Sequence, residues 1–171
     1  MFFNRSALIV VFLVISSFVS GNVASDDSPE QATPLLDGNS VEDYVCNGDN
    51  CDVIYDEYDW YWFNAYEGDV ITLEIWNEGY PDMAYLTVQM WDEDGEEMFV
   101  DEEGEPSELW IGDGQTFTDE WQQAYSTSYF IRLSTVDGAG GDGTYYQITV
   151  DYDTTSRNTD GDSYIDSDDD C

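Results

Sequence analysis

The chain has no histidine and no lysine, and its 171 residues contain three basic ones, Arg5, Arg132 and Arg157. Without an imidazole, neither a Ser-His-Asp nor a Cys-His nucleophile can be assembled. Without an ammonium group, a Ser-Lys pair and a Schiff base are lost as well. Zinc at a pair of cysteines would need further thiols or histidines, and there are no histidines. The same shortage of cations excludes nucleic acid and anionic lipid as partners, because both are gripped through Lys and Arg. Glycoside hydrolysis needs a particular pair of carboxylates. None of the 39 acidic residues stands out as such a pair, and the chain reads as non-catalytic.

Long apolar runs are also missing. Ala7 to Ile15 is apolar without interruption, and the run extends through Ser16 and Ser17 only to Val19. A helix needs about 20 apolar residues to span a bilayer. Arg5 precedes this run and small residues follow it from Val19 to Ser25, the order of a secretory signal peptide over residues 1–25. Cleavage after Gly21 and cleavage after Ser25 fit equally. Neither position offers a cysteine for lipid attachment. A secreted, extracellular or cell-surface protein is expected, with no membrane insertion after cleavage.

What the chain has in abundance is acid and aromatic surface. Its formal net charge is −36, yet 16% of its residues are aromatic. Acidic chains that stay disordered are poor in aromatics, so a folded domain with an aromatic core is expected. Repulsion among its carboxylates weakens as ionic strength rises, which suits saline or calcium-containing surroundings. Cys46 and Cys51 flank the turn-forming Asn47-Gly48-Asp49-Asn50, and in an exported chain this pair is expected as a local disulfide. Cys171 is then left over, which points to a partner in another molecule or in further sequence.

Residues 26–40 carry Asp, Ser, Pro and Gln and read as a flexible leader. From Val41 to Asp153 the texture is that of strands. Apolar and polar residues alternate over Trp60–Phe63, Val70–Trp76, Ala84–Trp91, Glu97–Val100, Glu108–Ile111, Ser128–Ser134 and Thr144–Tyr152. Turn signals separate them, such as Glu67-Gly68-Asp69, Asp94-Gly95 and Gly112-Asp113-Gly114. The glycine-rich loop from Asp137 to Gly143 reads as a hairpin connection, and Asp119 to Tyr125 as a short helical turn. Seven or eight short strands predict an all-β fold, an antiparallel β-sandwich or jelly roll. Alternation assigns Tyr61, Phe63, Ile71, Leu73, Ile75, Leu86, Val88, Met90, Tyr146, Ile148 and Val150 to the core, with Phe130 and Ile131 near a change of register.

The succession Asp59-Trp60-Tyr61-Trp62-Phe63-Asn64-Ala65, Glu67-Gly68-Asp69-Val70-Ile71-Thr72-Leu73, Met90-Trp91-Asp92-Glu93-Asp94-Gly95 and Tyr129-Phe130-Ile131-Arg132-Leu133, ending in Gly143 to Val150, resembles the bacterial pre-peptidase C-terminal domain. The resemblance covers about residues 55–152. It implies a non-catalytic β-sandwich of the kind appended to secreted enzymes and surface proteins.

Residues 154–171 form an acidic tail. With Asn158 as position 1 of a calcium loop, Asp160, Asp162, the Tyr164 carbonyl, Asp166 and Asp169 fall on positions 3, 5, 7, 9 and 12. The stretch also resembles a single thrombospondin type 3 repeat, which implies calcium wrapped by aspartates with little core. Ser163 stands where a turn glycine is usual and Asp169 where a longer glutamate is, and a lone copy of such a repeat is expected to bind Ca2+ weakly, with a Kd of about 0.1 to 1 mM. A plain solvated acidic tail is the alternative.

Two functions follow. One is a secreted accessory module that binds calcium through the tail, with the sandwich as spacer or adhesion unit. The other is a carbohydrate- or polymer-binding β-sandwich module of an extracellular protein, its partner an extracellular polysaccharide or protein. In that case Trp60 and Trp62, on the face opposite Tyr61 and Phe63, would stack on a ligand; the alternative is that both sheet faces are covered or that the two tryptophans shield an edge.

Overall fold

The computed structural model describes residues 28–47, 51, 57–81, 84–100, 103–136 and 143–157. These exclude the signal-like segment, the glycine-rich loop and the tail from Asn158 onward. Among the described residues a 3-10 turn, Pro29–Gln31, is followed by nine strands. They are β1 (Thr33–Pro34), β2 (Ser40–Cys46), β3 (Asp59–Ala65), β4 (Val70–Pro81), β5 (Leu86–Asp92), β6 (Leu109–Ile111), β7 (Thr116–Gln122), β8 (Thr127–Thr135) and β9 (Gly143–Asp153). A five-stranded sheet in the order β1-β3-β8-β5-β6 faces a four-stranded sheet in the order β2-β9-β4-β7. This is the expected β-sandwich, antiparallel except for the pairing of β1 with β3.

Alternation builds the interior. Tyr61 and Phe63 of β3, Leu86, Val88 and Met90 of β5, and Tyr129, Ile131 and Leu133 of β8 meet Ile71, Leu73 and Ile75 of β4 and Tyr146, Ile148 and Val150 of β9. Each such aliphatic or aromatic side chain contributes about 1.5 to 3 kcal/mol through burial. At one end of this core the Tyr146 hydroxyl donates to Asp59 Oδ2 at 2.5 Å, so the Tyr61 hydroxyl, 2.6 Å away, must donate to Tyr146.

Several expectations are corrected. β8 runs in unbroken register against β3 and β5, with Tyr129, Ile131 and Leu133 inward, so Phe130 belongs to the outer face and not to the core. Asp119 to Tyr125 forms no helical turn, because Thr116–Gln122 is strand β7, paired with β4. Its Phe117 and Trp121 pack edge-on against Phe99 and Tyr129, and these contacts override the weak helical pattern. Glu97–Val100 makes only isolated bridges, Trp91 with Glu97 and Val100 with Pro106. The stretch read as a flexible leader holds the 3-10 turn and β1, the Leu35 amide donates to the Trp62 carbonyl, and the Leu35 side chain is buried. β2, whose inward Asp43 breaks the apolar alternation, closes the second sheet.

Candidate functional site

The outward side chains of the two sheets differ in kind. On the four-stranded sheet they include Glu42, Glu74, Glu120, Asp151 and Asp153, set among Ser40, Thr72, Thr118 and Thr149, with the rings of Tyr44, Trp76 and Tyr145 beside them. On the five-stranded sheet they are Trp60, Trp62 and Asn64 of β3, Ser128, Phe130, Arg132 and Ser134 of β8, Thr87, Gln89 and Trp91 of β5, and Trp110 of β6. None of these is a carboxylate, in a chain with 39 of them.

Register arranges this second face in rows. Trp62, Phe130 and Trp91 lie opposite one another across β3, β8 and β5. The next row is Trp60, Arg132 and Gln89. Beyond it come Ser134, Thr87 and Trp110. The Trp60 and Trp91 rings stack with centroids 5.5 Å apart and an interplanar angle of 24°. The Arg132 guanidinium lies 4.8 Å from the Tyr58 ring centre, 5.7 Å from Trp91 and 5.9 Å from Trp60. It also donates to Gln89 Oε1, and its Nη2 sits 3.9 Å from Glu108 Oε1 at the margin of the face. Gln89 Nε2 donates in turn to Glu97 Oε1 at 3.3 Å. The rim carboxylates are thus engaged with the polar centre, while the rings around it remain half-buried. Such a surface offers ring faces for stacking, flanked by a few fixed donors and acceptors.

Trp60 and Trp62 therefore lie on the outer face, as alternation predicted. Trp91, Phe130, Arg132 and Trp110 complete it. Their outward parity was readable strand by strand, but the order of the strands in the sheet, which brings them together, is not written in local sequence. Cys46 and Cys51 form the expected disulfide, with Cα atoms 5.9 Å apart. Asn158, Asp160, Asp162, Tyr164, Asp166 and Asp169 lie outside the described residues. Among the described residues no group of three or more His, Cys, Asp or Glu side chains is placed to hold a metal ion, and no helix is long and apolar enough to cross a membrane.

The tail does begin from a fixed point. Arg157 Nε and Nη2 donate to the two oxygens of buried Asp69 at 2.8 and 2.9 Å, and the guanidinium lies 4.7 Å from the Tyr66 ring centre. Its hydrogen bonds to Asp69 raise the Arg157 pKa. Gly68 makes the contact feasible: its φ is +89°, and a Cβ there would lie 1.7 Å from the Ser156 carbonyl oxygen.

No protein-family model and no curated protein matches the chain. Among solved structures it is similar to the pre-peptidase C-terminal domain of a collagenase from Bacillus anthracis, at 15% identity and a TM-score of 0.44 over 70% of this chain and 93% of that one. It is also similar to a periplasmic inhibitor of g-type lysozyme from Aeromonas hydrophila, at 10% identity and a TM-score of 0.41, covering 71% and 96% of the two chains. A third likeness is to the enzymatically active domain of tailspike protein 4 of bacteriophage CBA120. There the identity is 8% and the TM-score 0.29, over 68% of this chain and 20% of that one. Likeness at these levels adds no functional argument.

Proposed function

We propose that the chain is a secreted, non-catalytic accessory module that holds an uncharged extracellular polysaccharide on the outer face of its five-stranded sheet. The observation that carries this reading is the make-up of that face: Trp62, Phe130 and Trp91 in one row, Trp60 beside Arg132 and Gln89 in the next, and no Asp or Glu among the outward strand positions. Sugar rings present C–H faces that stack on indole and phenyl groups, and their hydroxyls suit the Arg132 and Gln89 side chains. A formal charge of −36 opposes an anionic polymer. The Cys46–Cys51 disulfide and the signal-like first residues support an extracellular setting.

Affinity electrophoresis tests the proposal, with gels containing hydroxyethyl cellulose, laminarin or galactomannan and an alginate gel as the anionic arm. We expect at least one neutral polymer to retard the protein, alginate not to, and Trp62→Ala to migrate as in an empty gel with its far-UV circular dichroism unchanged. Equal mobility of the wild type in every gel would reject the reading.

A calcium-binding tail accompanies this role. It is supported by the spacing of oxygen donors from Asn158 to Asp169, and by the Arg157–Asp69 pair that fixes the residue just before Asn158. The ligating carboxylates must be ionised, so affinity falls at acid pH. In calorimetric titration with calcium, Asp162→Ala should abolish the heat seen with the full chain, and equal heats from both would remove the tail site.

A further inference from the structure

We infer that the binding face carries a second stacking platform, formed by Trp110 and Tyr85, so that it takes an extended polysaccharide chain and not a single sugar. This rests on the polysaccharide reading and specifies its ligand.

Trp110 and Tyr85 are 57% and 43% exposed, far more open than Trp60 or Trp91, each of which uses one ring face on the other. Their ring centroids are 6.2 Å apart at 43°, an open wedge at the margin of the sheet. Two large aromatic side chains exposed side by side make a contiguous apolar patch, the kind of surface on which ligands are held. Trp110 also stands at the rim of a groove of about 390 Å³ lined by Leu109, Ile111, Gln115, Thr116 and Phe117.

The register fixes how this wedge relates to the first platform. Trp110 lies opposite Thr87, four residues along β5 from Trp91, or about 13 Å. From Trp62 it is three strands away, or about 14 Å across the sheet. Between the two aromatic groups run Arg132 and Gln89, with Glu108 beside Arg132. A chain crossing the face diagonally would stack at both ends and pass Gln89 and Glu108 beside the Glu57–Tyr58 segment, which lies over Ser134 and Arg132. A monosaccharide is too short to reach both platforms.

The test is an isothermal titration of wild type, Trp62→Ala, Trp110→Ala and Trp110→Phe with cello-, laminari- and manno-disaccharides and hexasaccharides, together with the electrophoresis above. In the series of the retained polymer, the wild type should bind the hexasaccharide about tenfold or more tighter than the disaccharide, the gain expected when two linked sites engage together. Trp110→Ala should erase that gain, Trp110→Phe should keep most of it, and Trp62→Ala should weaken both ligands. A urea midpoint equal to wild type certifies the fold of the Trp110 variants. If the wild type is retarded by a neutral polymer but Trp110→Ala binds its hexasaccharide equally well, the second platform is refuted and the first stands. If no neutral polymer retards the wild type, both fall together.

Discussion

Replacing Asn77 by Leu should cost the protein a large part of its stability. Asn77 ends the regular part of β4 and is fully buried. Its side-chain nitrogen donates to the Ala84 carbonyl at 3.0 Å and to the Ile111 carbonyl at 2.9 Å, both on the opposite sheet's side of the molecule. Its Oδ1 accepts from the Gly79 amide at 3.0 Å and from the Thr144 hydroxyl at 2.7 Å. Two donors and two acceptances use the whole capacity of a primary amide. Leucine has the same branched shape, a larger volume and none of this capacity. The Thr144 hydroxyl still reaches the Tyr145 carbonyl, and the Gly79 amide still reaches Thr144 Oγ1, so the two carbonyls bear most of the loss. At about 1 to 3 kcal/mol for each deprived buried group, less what an added apolar side chain returns, the net cost is about 3 to 4 kcal/mol. That is a large share of the 5 to 15 kcal/mol that typical domains possess.

Urea unfolding followed by tryptophan fluorescence and far-UV circular dichroism measures it. A loss below about 1 kcal/mol would mean that the amide does not bind the sheets together as described. Asn77→Asp separates hydrogen bonding from packing. A carboxylate facing two carbonyls should be worse than leucine at neutral pH, and it should recover partly in acid, where the protonated group donates once more. Because Asn77 holds Ile111 and its amide donates to the Gln115 carbonyl, both variants should also loosen the β6 edge that presents Trp110.

Cys46→Ser with Cys51→Ser opens a short loop that ties the end of β2 to the chain before β3, and should lower the unfolding free energy by about 2 kcal/mol; unchanged urea midpoints would show the loop to be held by other contacts. Arg157→Ala strips Asp69 of its counter-charge, and since Arg157 is partly exposed, the cost should be about 2 to 3 kcal/mol and not the full figure for a buried pair. Adding Asp69→Asn should restore part of it, and a double variant less stable than Arg157→Ala would contradict the pairing. Burial first, and then the neighbouring Tyr61 and Asp59, raise the Tyr146 pKa well above its ordinary 10.0, and burial also raises that of Tyr152. A phenol whose native pKa is raised contributes stability that is complete below pH 10 and is lost as pH climbs from there toward the native value. In absorbance titration these two should therefore ionise only as circular dichroism collapses, whereas reversible ionisation of all 13 tyrosines with the fold intact would refute it.

The parts of the fold legible in sequence were those whose inner and outer faces differ in polarity. β4 and β9 place Thr, Glu, Gln or Asp at most of their outward positions, so Ile71, Leu73 and Ile75, and Tyr146, Ile148 and Val150, stood out as core. β8 misled at Phe130, because an outer face rich in aromatics makes Tyr129-Phe130-Ile131 apolar on both sides and hides the period of two. β7 misled for the opposite reason. At the sheet edge it buries little, and Asp119 sits where alternation wants an apolar residue. Phe130 belongs to the candidate site itself, where rings on the outer face displace the simple core-and-solvent pattern. Trp60 and Trp62 were visible because they share one strand with Tyr61 and Phe63, whereas the assembly of Trp91, Arg132 and Trp110 beside them depends on strand order.

Charge is distributed differently over the outer faces of the two sheets. Repulsion alone would spread carboxylates over every exposed strand. Here they populate the outer face of one sheet, at Glu42, Glu74, Glu120, Asp151 and Asp153, and leave the other to rings, hydroxyls, amides and one guanidinium. Screening shrinks from a length of about 10 Å at 0.1 M salt to about 3 Å at 1 M. Added salt should therefore relieve repulsion in the compact state and raise the melting temperature. Stacking of an uncharged chain on Trp62, Trp91 and Trp110 gains nothing from that screening, and Arg132 already faces Glu108. Across the same salt series the affinity for a neutral polymer should stay level while the melting temperature climbs. An affinity that falls steeply with salt would mean that charge holds the ligand, and stacking on this face would have to be abandoned as the basis of recognition.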